Sequence, residues 1–375
     1  MNEKEVAELR RRYRKDKSNI SRVCGCFVNE KKEMIAEFDH SLGLMPEEES
    51  EQILSVMKKT LSGTVGRNLW EVNFSTEQVM ESEEHRLLSE LRSTELKDKD
   101  SVHKLYETII GSLEMEGNYV ILLAHDRYDV FSYSADGEKG ESGQVFSYIV
   151  CCVCPVKSGR PALSYYLPGN CFRSICADTM LSAPEIGFLF PAFEDHGANI
   201  YKAMYYTKNL TDSHVEMVDT LFHSQLPMPA AAQKETFDSI LEQTMEGDCS
   251  LKIVRSVHAQ VCAMLGSRKE DGEEKDEPPV LTKELAGDML RYCGVPEERV
   301  TAFEEKYEEE FGKDAEIHPK NVVNSKQMQL KTPEVTIKVS AGCGDVLETR
   351  VIDGVRYILV RADSDVVVNG VNIHI

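Results

Sequence analysis

Three groups of side chains in this sequence could do chemistry. The first is a set of thiols: Cys24 and Cys26, the run Cys151-Cys152-Val153-Cys154, and Cys171 with Cys176. Zinc takes four N or S ligands, and structural sites draw them from closely spaced Cys/His pairs such as CxxC. Cys151 and Cys154 do stand at the CxxC spacing, but within a strand. VFSYIVCCVCPVK reads as a strand, whose successive side chains alternate between faces, so Cys152 and Cys154 point one way and Cys151 the other. The thiols are therefore expected to pack as small hydrophobes, with no metal and no cofactor.

The second group is His125, Asp126 and Asp129, which follow the apolar run YVILLA, together with His196 after Glu194 and Asp195. A catalytic acid or base could sit at either place. No nucleophile lies at a recognisable spacing from them, so both are expected to be solvated turn residues and no catalytic residue is assigned. GxxxxGK[ST], GxGxxG between strand and helix, GxSxG, HExxH and the calcium-loop pattern are all missing. Gly342 and Gly344 flank Cys343 but precede Asp345, whose charge would repel a phosphate, so that stretch reads as a turn.

The third group is basic: Arg10, Arg11, Arg12, Arg14, Lys15 and Lys17, mixed with Glu3, Glu5, Glu8 and Asp16. On a helix these cations spread over more than one face and are expected to be solvated. If the chain touches nucleic acid, Arg10, Arg11, Arg12 and Arg14 are the candidates. A later helical pair could suggest a DNA-reading motif, but its second helix carries Glu304, Glu305, Glu308, Glu309 and Glu310, which phosphates would repel.

The elements that must position these residues centre on EGNYVILLAHDRYDV and VFSYIVCCVCPVK, a buried antiparallel pair joined through Asp136-Gly137. Before them come a helix over residues 3–17, a hairpin around Glu30-Lys31-Lys32 with Val23, Phe27, Ile35 and Phe38 facing inward, and a helix opened by Pro46 and three glutamates. Two further helical stretches begin at Ser75 and Ser101. After the central pair, PALSYYLP and EIGFLFPAF read as strands that proline confines to edges or bends. NIYKAMYYTK fits either a strand or a helix start. Helical patterns over 213–222 and 234–265 lead to SRKEDGEEKDEPP, a charged linker. Thr282, Gly294 and Pro296 punctuate an αα-hairpin, and a β tail follows with turns at Asp353-Gly354 and Asn369-Gly370.

The totals bound the function. With 375 residues, 41% of them apolar, the chain can bury more than one core, and a net charge of -21 argues against broad binding to nucleic acid or a membrane surface. The charged N-terminus lacks a secretory apolar region, and the longest apolar runs are far short of the roughly 20 residues that span a bilayer. The cytoplasm, with its reduced thiols, is the expected compartment.

GCFVNEKKEMIAEFD, SLGLMPEEE, KKTLSGTVGRNL, SEEHRLL, GNYVILLAHDRYDV, FSYIVCCVCPVK, IGFLFPAFEDHGANIYKAMYYT and ETRVIDGVRYILVRADSDVVVNGVNI together resemble a family of unknown function found in anaerobic Gram-positive bacteria. That resemblance implies no activity, ligand or catalytic residue. The order of elements, an early strand pair, the helix with LSVMKKTLSG and a helix feeding a strand pair, is also similar to bacterial nucleoid-associated proteins. The expectation is an α+β protein with residues 1–115 helical plus a hairpin, 116–267 a central antiparallel sheet with helices, 268–279 a linker, and 280–375 an αα-hairpin with a small β unit. Its expected role is non-enzymatic binding or regulation, through a protein partner and away from membranes. The alternatives are nucleoid DNA binding and an enzyme around His125 and Asp126.

Overall fold

The structure, a computed structural model, describes all residues except 134–138, 158, 160–161, 176–178, 246–248, 267–278, 314, 341–343, 363–365, 369 and 374–375. The Asp136-Gly137 turn, Cys176, most of the charged linker and Asn369 lie outside the described residues. The protein is α+β and divides into two units, Met1–Pro229 and Ala230–Ile375.

The first unit opens with α1 (Glu3–Arg12), then β1 (Arg22–Val28), β2 (Met34–Ser41), α2 (Glu47–Lys58), β3 (Leu69–Asn73), α3 (Thr76–Glu81), α4 (Glu83–Ser93) and α5 (Lys99–Ser112). The long strands β4 (Tyr119–Tyr133) and β5 (Lys139–Lys157) follow, then β6 (Ala162–Tyr166), β7 (Cys171–Ile175), β8 (Met180–Leu181), β9 (Ile186–Phe190), β10 (Ala192–Glu194), β11 (Gly197–Asn199), β12 (Lys202–Thr207) and α6 (Val215–Phe222). The main sheet runs β2-β1-β4-β5-β9-β12-β3, with β8 on β5, and its paired neighbours are antiparallel.

Period-two alternation puts a separate core on each face. Tyr119, Ile121, Leu123, Ile149, Cys151 and Val153 meet α4, α5 and α6 on one side. On the other, Leu122, Ala124, Tyr148, Val150, Cys152 and Cys154 meet α1 and α2. The thiols divide as the strand pattern predicts, Cys24, Cys26 and Cys151 in one core and Cys152 and Cys154 in the other. Burial pushes the Cys151 thiol well above its ordinary value, and the Cys26 thiol up to about 12.

The helix ends are set by local chemistry. Asn2 caps α1 by accepting from the Lys4 and Glu5 backbone, while Glu5 reaches back to Asn2. The helix stops at Arg12, five residues before the charge pattern suggests, and Tyr13 turns into the core. Ile35, expected inward, is exposed on the edge strand β2. One strand is new and one further expectation changes. LWEVN pairs with β12 as the other edge strand, and IGFLF is a central, fully buried strand because Pro191 follows it instead of interrupting it.

The second unit contains α7 (Ala230–Met245), α8 (Leu251–Gly266), α9 (Lys283–Tyr292), α10 (Glu297–Phe311) and α11 (Pro319–Val322). Three hairpins complete it: β13 (Gln327–Lys331) with β14 (Thr336–Ser340), β15 (Leu347–Ile352) with β16 (Val355–Val360), and β17 (Val366–Val368) with β18 (Val371–Ile373). Sequence reading groups α7 and α8 with the central sheet. Their apolar residues Phe237, Ile240, Val257 and Val261 instead share a core with Met289, Phe303 and Tyr307 of the αα-hairpin. The charged linker thus lies inside the sequence of the second unit.

Candidate functional site

His125 is not a turn residue. The β4 strand continues eight residues past it, with His125 and Arg127 on the α4 face and Asp126, Tyr128 and Val130 on the α1 face. Because strand neighbours point apart, His125 and Asp126 cannot act on one substrate together. Each belongs to a different constellation.

On the α1 face Asp126 is buried and held by several groups. Its Oδ1 accepts from the backbone N–H of Asn19 at 2.9 Å and of Arg127 at 2.9 Å, and its Oδ2 accepts from the Tyr148 hydroxyl at 2.9 Å. Arg12 lies 3.5 Å from Oδ2 and stacks 4.2 Å above the Tyr128 ring. Burial raises the Asp126 pKa, opposed chiefly by the Arg12 charge. This network docks the end of α1 on the hairpin. It takes Arg12 out of any exposed basic arm.

The other basic candidates do not converge with it. Arg10 is half-buried, and Arg11 and Arg14 are exposed, with Arg14 paired to Asp16 at 3.2 Å. Arg10 to Arg12 form the last turn of α1, where the helix dipole favours cations. His196 sits in the turn between β10 and β11, where it and Asp195 have φ values of 60° and 49°.

On the α4 face a different set comes together. The His125 Nε2 and the Ser147 Oγ are 2.8 Å apart. Beside them is a cavity of about 670 Å³ lined by Arg86, Ser89, Glu90, Arg92, Ser93, Arg127 and Ser147. A second hollow of about 150 Å³, reaching Glu95, Lys97 and His125, shares Arg127 with it. Arg86, Ser89, Glu90 and Ser93 reach the cavity because they recur at i, i+3, i+4 and i+7 on α4. Its opposite faces bury Leu87, Leu88 and Leu91.

The charges here are unevenly matched. Arg127 pairs with Glu95 at 2.5 Å, and Lys97, then Arg127, hold the Glu95 carboxyl below its usual range. Glu95 and Leu96 both have left-handed backbones, with φ of 54° and 60°, an arrangement that costs non-glycine residues about 1 kcal/mol or more each. That strained turn delivers Glu95 to Arg127 while burying Leu96. Arg92 is half-buried, and burial alone lowers its pKa. Among the described residues no carboxylate pairs with Arg92 or Arg86. His125 is also lowered from 6.5, chiefly by burial, so the imidazole is neutral at pH 7.

A family model described as a domain of unknown function (DUF4317) matches residues 1–371. The chain belongs to that family. No curated protein matches it. The name DUF4317 carries no chemistry, so the reading of this member rests on its own residues. Sequence reasoning had His125 but missed Ser147, Arg86, Arg92, Arg127 and Glu95. Two signals were available: the polar stripe on α4, and the alternation of HDRYD, which continues the strand beyond the apolar run.

Among the described residues no group of His, Cys, Asp and Glu is placed to hold a metal ion, and no helix is long and apolar enough to cross a membrane. The arrangement can hold an anion between guanidiniums, with Ser147 as a further hydrogen-bond donor.

Proposed function

We propose that this DUF4317 protein is a non-enzymatic binding protein of the cytoplasm, and that its first unit takes a small phosphate-bearing molecule in the cavity between α4 and the β4–β5 hairpin. One observation carries the reading: Arg92, half-buried, lines the cavity with no carboxylate partner among the described residues. A buried charge is costly until an opposite charge meets it. Arg86 and Arg92 supply two unpaired positive charges, and a phosphomonoester brings roughly two negative ones near neutral pH. The cavity is within the size range of small-molecule sites. The described cysteines are free thiols, which supports a reducing compartment.

Thermal unfolding with inorganic phosphate, pyrophosphate and a set of nucleotides tests it. At least one should raise the unfolding temperature in a concentration-dependent way, and Arg92→Ala should weaken its binding by about tenfold to a hundredfold, the loss of one charged hydrogen-bonding partner. No response to any phosphate compound, or equal binding by Arg92→Ala, would end the proposal.

The 2.8 Å contact between His125 and Ser147 favours a second reading, a serine hydrolase in which neutral His125 accepts the Ser147 proton. No side chain is placed on His125 Nδ1 among the described residues, so the orienting third group of such sites is missing. A fluorophosphonate probe decides it. Labelling of Ser147 that His125→Ala abolishes would move this reading ahead of simple binding.

A further inference from the structure

The hairpin of β15 and β16 is exposed to a degree that a two-stranded element cannot sustain alone. Leu347 is buried with Met328 and Val339, but Glu348 to Ile352 and Val355 to Ile358 are all exposed, Val351 at 69% and Val355 at 52%. An isolated hairpin in water is marginal, whereas three or more strands with apolar contacts are stable. Among the described residues β15 pairs only with β16, so its other edge presents unpaired backbone groups. Such an edge is a template for another strand.

We propose that this edge is covered by the same edge of a second copy of the chain, forming a four-stranded sheet about a two-fold axis through Thr349. The order of side chains in β15 selects that occupant and that register. With the axis at Thr349, Glu348 of each copy lies opposite Arg350 of the other, Leu347 lies opposite Val351, and Thr349 lies opposite itself. Opposite charges and threonine pairs are favourable cross-strand neighbours. Axes at Glu348 or Arg350, the adjacent registers that keep side chains on matching faces, set like charges against each other. Within one copy Arg350 pairs with Glu348 at 2.9 Å on an open surface, and both are more than half exposed, so either is available to the second copy. The self-complementarity is that of an isologous interface.

Sedimentation velocity of the full chain, from low to high micromolar concentration, tests the proposal with a charge swap. The native chain should dimerise. Glu348→Arg should raise the dissociation constant by about tenfold or more, since both cross-strand pairs become repulsive. Adding Arg350→Glu should return it to the native value. Thr349→Glu leaves the pair within the strand intact and places two carboxylates at the axis, so it should also weaken the dimer, with circular dichroism confirming that the fold is kept. A native chain that stays monomeric throughout, or a dimer indifferent to Glu348→Arg and Thr349→Glu, overturns the proposal.

Discussion

Replacing Asp126 by alanine is expected to destabilise the first unit by about 3–5 kcal/mol, the range for breaking a buried ion pair from one side. The substitution removes the acceptor of the Asn19 and Arg127 backbone N–H groups and of the Tyr148 hydroxyl. It also leaves Arg12, whose side chain is 14% exposed, without its carboxylate. Urea unfolding followed by circular dichroism reads the loss. The double variant Arg12→Leu/Asp126→Leu should recover only the part due to the stranded Arg12 charge, since the Asn19 and Arg127 N–H groups and the Tyr148 hydroxyl still lack their acceptor. In a cycle with the Arg12→Leu and Asp126→Leu single variants, a coupling of about 1 kcal/mol or more would separate the pair from simple loss of packing. Singles that add to the double would show that the two residues act independently.

The same carboxyl sets a pH dependence. Its folded pKa lies above its ordinary 3.8. The folded state therefore binds the proton more tightly than the unfolded chain. The stability this confers is complete below 3.8 and is lost as pH rises through the folded pKa. Asp126→Asn, which does not titrate, should gain on the native protein across that window.

Gly187→Ala is expected to cost about 2–3 kcal/mol, although alanine is ordinarily the better strand residue. A methyl group at this position would strike the Thr60 methyl and stand 2.5 Å from the Cys151 carbonyl and 3.3 Å from the Cys152 Cα. The turn after α2 packs directly on the backbone of β9 here, and two of these three neighbours are backbone atoms in the adjacent strand. Gly111→Ala is the control. It lies in α5 with nothing within 4 Å of the added methyl, so it should stabilise by about 0.5–1 kcal/mol. Opposite signs in thermal unfolding would locate the effect in the close approach at β9. Equal small effects would mean that the layers are looser than described.

Where local physics decided an element, the sequence was enough. The alternation in YVILLA and YIVCCVC separated the two cores, residue by residue, and the Pro46, Gly294 and Pro296 signals marked real helix ends. Where an element depends on what lies beside it, the sequence was silent. LWEVN is short and holds its place through β12, and the apolar faces of α7 and α8 could have met either unit's core. The polar half of β4 looked like loop because its Asp and Arg residues are satisfied by partners as distant in sequence as Asn19 and Glu95. The candidate site joins α4, the turn after it and two strands. No spacing rule could have assembled Arg92 with Ser147, which are brought together only by the packing of α4 on the hairpin.

The central claim is that Arg86, Arg92 and Arg127 surround a site for a phosphate group. A crystal structure of the protein grown with pyrophosphate, refined against a matched crystal without it, tests this most directly. The expected result is difference density between the Arg92 and Arg127 guanidiniums, within hydrogen-bond reach of Ser147. An empty cavity at saturating pyrophosphate, with Arg92 turned to solvent, would contradict it.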